Sequence, residues 1–238
     1  MKIHIGTSGW LYRYWFGRFY PNNLGGRLLP YYAKHFKTVE LNASFYFLPK
    51  AEYFERWYDQ TPKDFVFAIK APRYITHYKK LSIGKFDQEF IERISILKEK
   101  LGPILFQMPP SMKIDLGKLE KFLKSLPSGY EFVFEFRHKS WYIDDTYSLL
   151  KKHKAIFCIH DHRNGKTDFI KTSNTIYFRF HGVNGFYGGK YTLRQLKTIW
   201  KKILDLKPKK IYAYFNNDTQ AFAIKNAQEL IDIIKHSG

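Results

Sequence analysis

Cysteine is almost absent: the 238-residue chain has one, Cys158. An internal disulfide framework is excluded, and a reducing compartment is expected. Long apolar runs are missing, which leaves no candidate for a membrane-spanning helix. Met1-Lys2-Ile3-His4-Ile5-Gly6 reads as a strand at once, so no signal peptide and a cytoplasmic location are expected. There is no internal repeat, linker or low-complexity stretch, so one domain over residues 1–238 is expected. No glycine-rich phosphate loop follows the first strand in the form a dinucleotide-binding sheet requires.

Acidic residues are scarce. Asp and Glu number 21 against 40 Lys and Arg, a net charge of +19. Attraction to phosphates, most simply those of nucleic acid, is one consequence. The lysine pairs Lys79-Lys80, Lys151-Lys152, Lys201-Lys202 and Lys209-Lys210 are scattered, however. A nucleic-acid footprint would cluster on one face, so a solvated lysine-rich surface is the preferred reading. Hydrophobic residues at 45% and charged residues at 26% provide for a sizeable core and argue against disorder.

Eight strand-like stretches run through the chain: 3–6, 38–41, 65–69, 103–108, one opening at Glu131, 155–160, 175–180 and 210–215. Seven helical patterns lie between or after them: 28–36, 50–60, 85–100, 116–126, 144–153, one capped at Thr192 and running to 206, and 221–235. Residues 161–174 are polar and carry no convincing helix, although they are long enough for a crossover. Alternation of this kind predicts a single (β/α)8 TIM-type barrel, with the helix between strands six and seven replaced by a loop. An open doubly wound sheet is the alternative.

A barrel places its site at the C-terminal ends of its strands. Those ends carry Thr7, Ser8 and Trp10; Glu40, Asn42 and Ser44; Lys70; Gln107; Glu135 and Arg137; His160 and Asp161; Arg179 and His181; Asn216 and Asn217. Glu135 and Arg137 are two apart and share one face of strand five, while Phe132, Phe134 and Phe136 take the other. Tyr177, Arg179 and His181 likewise share a face. Lys70, Arg137 and Arg179 predict an anionic ligand, phosphate or carboxylate. The glycine-rich loop 182–189 stands where barrels often bind phosphate. Glu135 and His181 are the candidates for proton transfer, and Asn42, Gln107, Asn216 and Asn217 for orienting the ligand. His77 stands evenly between function and structure.

Rim aromatics, among them Trp10, Tyr12, Tyr46, Trp141 and Tyr187, fit stacking on bases or sugars and equally fit anchoring loops. The candidate ligand-binding set is completed by Glu40 and Asp161. His160 and His162 share a strand face, and Glu135 or Glu40 would complete a metal set. His162 enters a polar loop, though, and no spacing matches a metal motif. A divalent metal is therefore not favoured, no metal ligand is assigned, and the cofactor is left open. Cys158 reads as an inert core residue.

These motifs resemble the YecE-like family, domain-of-unknown-function family number seventy-two. The resemblance rests on Ile5-Gly6-Thr7-Ser8-Gly9-Trp10, Phe19-Tyr20-Pro21, Glu40-Leu41-Asn42-Ala43-Ser44-Phe45-Tyr46, Phe67-Ala68-Ile69-Lys70, Ile75-Thr76-His77, Phe106-Gln107-Met108-Pro109-Pro110, Glu135-Phe136-Arg137-His138-Lys139-Ser140-Trp141, Phe178-Arg179-Phe180-His181-Gly182 and Tyr214-Phe215-Asn216-Asn217-Asp218. It covers nearly the whole chain and implies a TIM-type barrel. It implies no particular reaction. Barrels of related appearance include sugar isomerases and a DNA-repair endonuclease, an analogy of fold alone. The expected function is therefore an enzyme, hydrolase (nuclease- or phosphatase-like) or isomerase, acting on a phosphorylated small molecule or nucleic acid. The alternatives are a non-catalytic nucleic-acid binder and a sugar or small-metabolite isomerase or hydrolase. No membrane partner is expected, and the oligomeric state is open.

Overall fold

The computed structural model describes residues 1–82, 87–163 and 167–236. Its eight parallel strands are β1 (Lys2–Thr7), β2 (Thr38–Leu41), β3 (Val66–Lys70), β4 (Leu101–Gln107), β5 (Phe132–Glu135), β6 (Ile156–His160), β7 (Thr175–Phe180) and β8 (Lys210–Phe215). The helices are α1 (Leu28–His35), α2 (Ala43–Tyr46), α3 (Ala51–Asp59), α4 (Gln88–Ser95), α5 (Leu116–Ser125), α6 (Asp144–Lys152), α7 (Leu193–Asp205) and α8 (Phe222–Lys235). All eight expected strands are present. The expected helices are present too, with α2 an extra single turn. Of the helix expected over 85–100, residues 85 and 86 lie outside the described residues. Of the loop expected over 161–174, residues 164–166 do, and its described residues form no helix.

Sequence dictates the helix starts. Asp87, Asp115 and Thr192 each accept a backbone N–H of the first turn of α4, α5 and α7, and Thr192 forms a capping box with Gln195. Among the described residues no helix is long and apolar enough to cross a membrane.

The strands pair in the order β1-β8-β7-β6-β5-β4-β3-β2. A bridge between Ser8 and Glu40, with Gly9 N–H donating to Glu40 O at 2.8 Å, joins β1 to β2 and brings the barrel to closure. Each strand then has two buried faces. Val133 packs inside with Ala68, Leu105, Ile156, Cys158, Tyr177, Tyr212 and Tyr214. Phe132, Phe134 and Phe136 point the other way, into the larger core shared with the helices. This is the period-two split expected of a strand covered on both sides.

Closure has a steric condition. A Cβ on Gly6 would fall 2.2 Å from Thr38 O, backbone that cannot give way like a flexible side chain. Gly6→Ala is therefore expected to lose about 1–3 kcal/mol of unfolding free energy in urea, the usual penalty for overpacking. Gly26→Ala, where a Cβ meets nothing within 4 Å, is the control. Equal midpoints for the two variants would show that the β1–β2 seam opens without penalty.

Candidate functional site at the barrel mouth

The same period-two rule builds the site. The interior positions that carry Ala68, Leu105, Val133, Cys158 and Tyr177 deeper in the barrel carry Lys70, Gln107, Glu135, His160 and Arg179 two residues later. Glu40 joins them from β2. Glu135 and Glu40 have no exposed surface, and Arg179 is 1% exposed.

Charges this deep are tolerable only when paired and hydrogen-bonded. Arg179 meets both conditions. Its Nε donates to Glu40 Oε2 at 3.0 Å and its Nη2 to Glu40 Oε1 at 2.7 Å, a two-pronged ion pair. Nη1 reaches Glu135 Oε2 at 2.7 Å, and Nη2 also reaches Ser8 Oγ at 3.2 Å. Tyr177 OH donates to Glu40 Oε2 at 2.6 Å, and Ser8 Oγ to Glu40 Oε1. Asn42 Nδ2 donates in turn to Ser8 Oγ at 2.8 Å. Arg179, expected to hold a ligand anion, instead holds two carboxylates of the protein.

Glu135 and His181, expected to transfer protons, are each fixed in one state. Burial alone would raise the Glu135 pKa, but the guanidiniums of Arg137 and Arg179 outweigh it and hold the carboxyl well below its usual range. Gln107 Nε2 adds a hydrogen bond at 3.0 Å, and Arg137 Nε lies against Glu135 Oε1 off the hydrogen-bond line. His181 Nε2 accepts from Arg137 Nη2 at 2.9 Å, with Arg179 Nη1 at 3.4 Å. Guanidinium only donates, so Nε2 carries the lone pair and Nδ1 the proton. Burial first, then the Arg179 charge, push the His181 pKa well below its ordinary value. Asp161 holds the His181 backbone N–H at 2.7 Å, accepts from Tyr191 OH, and lies 3.7 Å from His181 Nδ1.

Lys70 differs from every other charge in this layer. It is 9% exposed. Among the described residues its Nζ makes no ion pair or hydrogen bond, and its close neighbour is the Phe45 ring, 3.7 Å away at the centroid. Burial, then the Arg179 charge, lower its pKa to about 7. His77 lies beyond β3 on a one-turn π-helix and packs its ring edge-on to Phe45, with Thr76 Oγ1 2.8 Å from its Nδ1. Burial and the Lys70 charge hold its pKa down at about 4.

The remaining expected residues divide. Trp10, Tyr12 and Asn42 line a mostly apolar cleft of about 400 Å³ beside the mouth, closed by Trp57. Tyr12, Tyr187 and Asn216 line another of about 550 Å³. Asp161 opens onto a third, against α7. Tyr46 is exposed on α2. Lys70, Gln107 and Arg137 line none of these three clefts.

Several expectations need correction. Trp141 is fully buried, stacked on Phe136 at 4.4 Å, with Nε1 donating to Met112 O, so it is wall and not ligand contact. Asn217 is also fully buried and ties Gly189 O to Asn226. The amides of Gly182, Gly185 and Phe186 are already engaged within the glycine loop and by Tyr191, and do not form an open phosphate cradle. His160 is locked between Phe136 O at 3.0 Å and His162 N–H at 3.3 Å. Among the described residues no three His, Cys, Asp or Glu side chains are arranged to hold a metal ion.

Two residues escaped the sequence reading. Asp218 accepts from Tyr14 OH and Trp15 Nε1, and burial raises its pKa to about 6. Asn226 of α8 fastens the Tyr191 backbone. A lone Asn on the apolar face formed by Ala223, Ala227 and Leu230 was the available signal.

Removing the Arg179 guanidinium leaves buried carboxylates uncompensated. Arg179→Met is expected to lose about 3–5 kcal/mol of unfolding free energy at neutral pH. Glu135 has its folded pKa depressed, so its stabilising share is present above its unfolded value near ~4.3 and lost as pH falls through the lower folded one. The gap between parent and variant in urea should therefore narrow on acidification. A gap independent of pH would show that Arg179 does not act by compensating Glu135.

The whole barrel has relatives. Residues 4–238 match the model of a family described as "Protein of unknown function DUF72". The UPF0759 protein YunF of Bacillus subtilis (strain 168) is 28% identical over 99% of this chain and 96% of that protein. The UPF0759 protein YecE of Escherichia coli (strain K12) is 35% identical over 59% of this chain and 50% of that one. The crystal structure of a DUF72 family protein from Thermotoga maritima covers 99% of this chain and 100% of its own, at 31% identity and a TM-score of 0.87. One from Enterococcus faecalis, 20% identical with a TM-score of 0.82, covers 98% and 95%, and speaks for the fold alone. The chain belongs to the DUF72 family.

Proposed function

We propose that the barrel mouth binds a small anionic ligand, with Lys70 Nζ and Arg137 Nη1 as its donors. One observation carries this reading. Both carboxylates of the polar layer are held by Arg179 and Arg137, while Lys70 is left without an acceptor among the described residues. Arg137 uses Nη2 on His181 and turns Nε to Glu135, and its Nη1 makes no hydrogen bond among the described residues. A buried cation without its counter-ion is costly unless a ligand supplies one. Glu135, Gln107 and His181 then orient Arg137, and Arg179 holds Glu135.

The donors are 9% and 7% exposed, at the barrel mouth. Donors this deeply buried suit a small ligand better than the backbone of a duplex, so the overall positive charge weighs less than the burial of the site. Trp10, Tyr12, Tyr46 and Tyr187 stand around the approach.

Sulfate, which does not titrate near neutrality, is the probe. Calorimetric affinity for sulfate is expected to fall about tenfold or more in Lys70→Met and in Arg137→Gln, the worth of one charge-assisted hydrogen bond. In the parent it should also fall as pH rises past about 7, because Lys70 loses its proton there. Lys70→Met should meanwhile gain about 1–3 kcal/mol of stability, since the buried unpaired charge is gone. Parent-like sulfate binding by both variants would remove the site assignment.

A further inference from the structure

We propose that Lys70 is a nucleophilic amine that forms a Schiff base with a small carbonyl compound whose carboxylate or phosphate lies on Arg137. This inference rests on the anion-binding reading above and names the ligand's chemistry. Lys70 is the last interior residue of β3, set in the mouth of the barrel and 9% exposed. Its Nζ stands over the Phe45 ring with no hydrogen-bond or ion-pair partner among the described residues. An amine meant to be a permanent cation would be paired at this depth, as Arg137 and Arg179 are. An amine meant to attack a carbonyl has to keep its lone pair free, and here no neighbouring group ties it down.

The groups facing Lys70 are Glu40 from β2, Glu135 from the end of β5, Arg137 just past it, Arg179 from β7, and His77 from the turn beyond its own strand. Burial and the two guanidiniums favour the neutral amine, while the two carboxylates and the Phe45 face favour the ammonium. The balance at about 7 leaves roughly half of Lys70 unprotonated at neutral pH. A solvated lysine, with a pKa near ~10.4, keeps less than about one amine in a thousand there. The Arg137 charge acts on Lys70, so an anion held by Arg137 lies within electrostatic reach of the nucleophile.

In the step itself the Nζ lone pair forms a C–N bond to the carbonyl carbon. The C=O π pair moves to oxygen, which takes a proton from water, and the nitrogen releases one to water. The resulting carbinolamine expels its hydroxyl as water on protonation, and the nitrogen lone pair closes the C=N bond. Amine, carbonyl and one proton from solvent become iminium and one water, with no oxidant or reductant consumed.

The test is reductive trapping of the intact protein with pyruvate, and separately with dihydroxyacetone phosphate, in the presence of cyanoborohydride. Peptide mapping by mass spectrometry then locates the adduct. The expected product is one reduced adduct on Lys70, well ahead of the surface lysines. The preferred probe tells carboxylate from phosphate. Arg137→Gln should slow trapping by these anionic carbonyls about tenfold or more beyond whatever change it makes to trapping by acetone, which reports the amine alone. Lys70→Arg should keep sulfate binding and give no adduct. Trapping should quicken as pH rises past about 7, opposite to the sulfate affinity. Label spread over surface lysines with Lys70 bare, while sulfate still binds at the mouth, overturns the Schiff base and leaves the anion site standing. Loss of both overturns both.

Discussion

One guanidinium holds the mouth of this barrel. Arg179 reaches from β7 to Glu40 on β2 and to Glu135 on β5, and its nitrogens also touch Ser8 and His181. Ion pairs buried this completely contribute little net stability, because stripping water from three charges offsets most of their attraction. Their consequence here is geometric. Planar, two-pronged contacts fix where the ends of β2, β5 and β7 stand relative to one another. The Ser8–Glu40 bridge that completes the barrel passes through the same carboxylate. Closure of the fold and organisation of the polar layer are thus one structural event.

The layers beneath prepare for it. Tyrosines fill the barrel interior below the charges: Tyr177 and Tyr214 lie 5.3 Å apart, and Tyr214 OH meets Thr38 Oγ1 at 2.6 Å. A phenol has an apolar body and one polar tip. Tyr177 packs its ring in the core and delivers its hydroxyl to Glu40. The interior grades from apolar through amphipathic to ionic, and Glu40 and Glu135 each have donors among the described residues.

Much of this was legible in the sequence. Period-two and helical patterns separated strands from helices, and their count and alternation specified a parallel barrel. That the described residues between β6 and β7 form no helix was visible as polarity without helical period. Polar strand ends located the mouth. What one dimension could not carry was pairing across it. Arg179 and Arg137 look equivalent as side chains on strand ends, yet one has all its nitrogens on protein partners and the other keeps Nη1 open. Trp141 follows a strand whose end is rich in charge, but Phe136 and Met112 draw it into the wall. Glu135 and His181 have side chains suited to proton transfer. The charges of Arg137, just past β5, and of Arg179, on β7, hold the Glu135 pKa down, burial and the same charges lower that of His181, and neither environment exists until the barrel closes.

The fixed states of Glu135 and His181 narrow the chemistry. A preorganised layer of charges stabilises developing charge without reorganising, and the lowered pKa values of Glu135 and His181 favour the ionised carboxylate and the neutral imidazole. Among the described residues of the polar layer, Lys70 is the group whose pKa lies close to 7. Asp218, at about 6, belongs to the flanking cleft with Tyr14 and Trp15. The two arginines therefore act twice. They neutralise the carboxylates that would otherwise pair with Lys70, and their own charge disfavours its protonation. The arrangement that closes the barrel is also what leaves the Lys70 amine without an ion-pair or hydrogen-bond partner among the described residues and lowers its pKa to about 7.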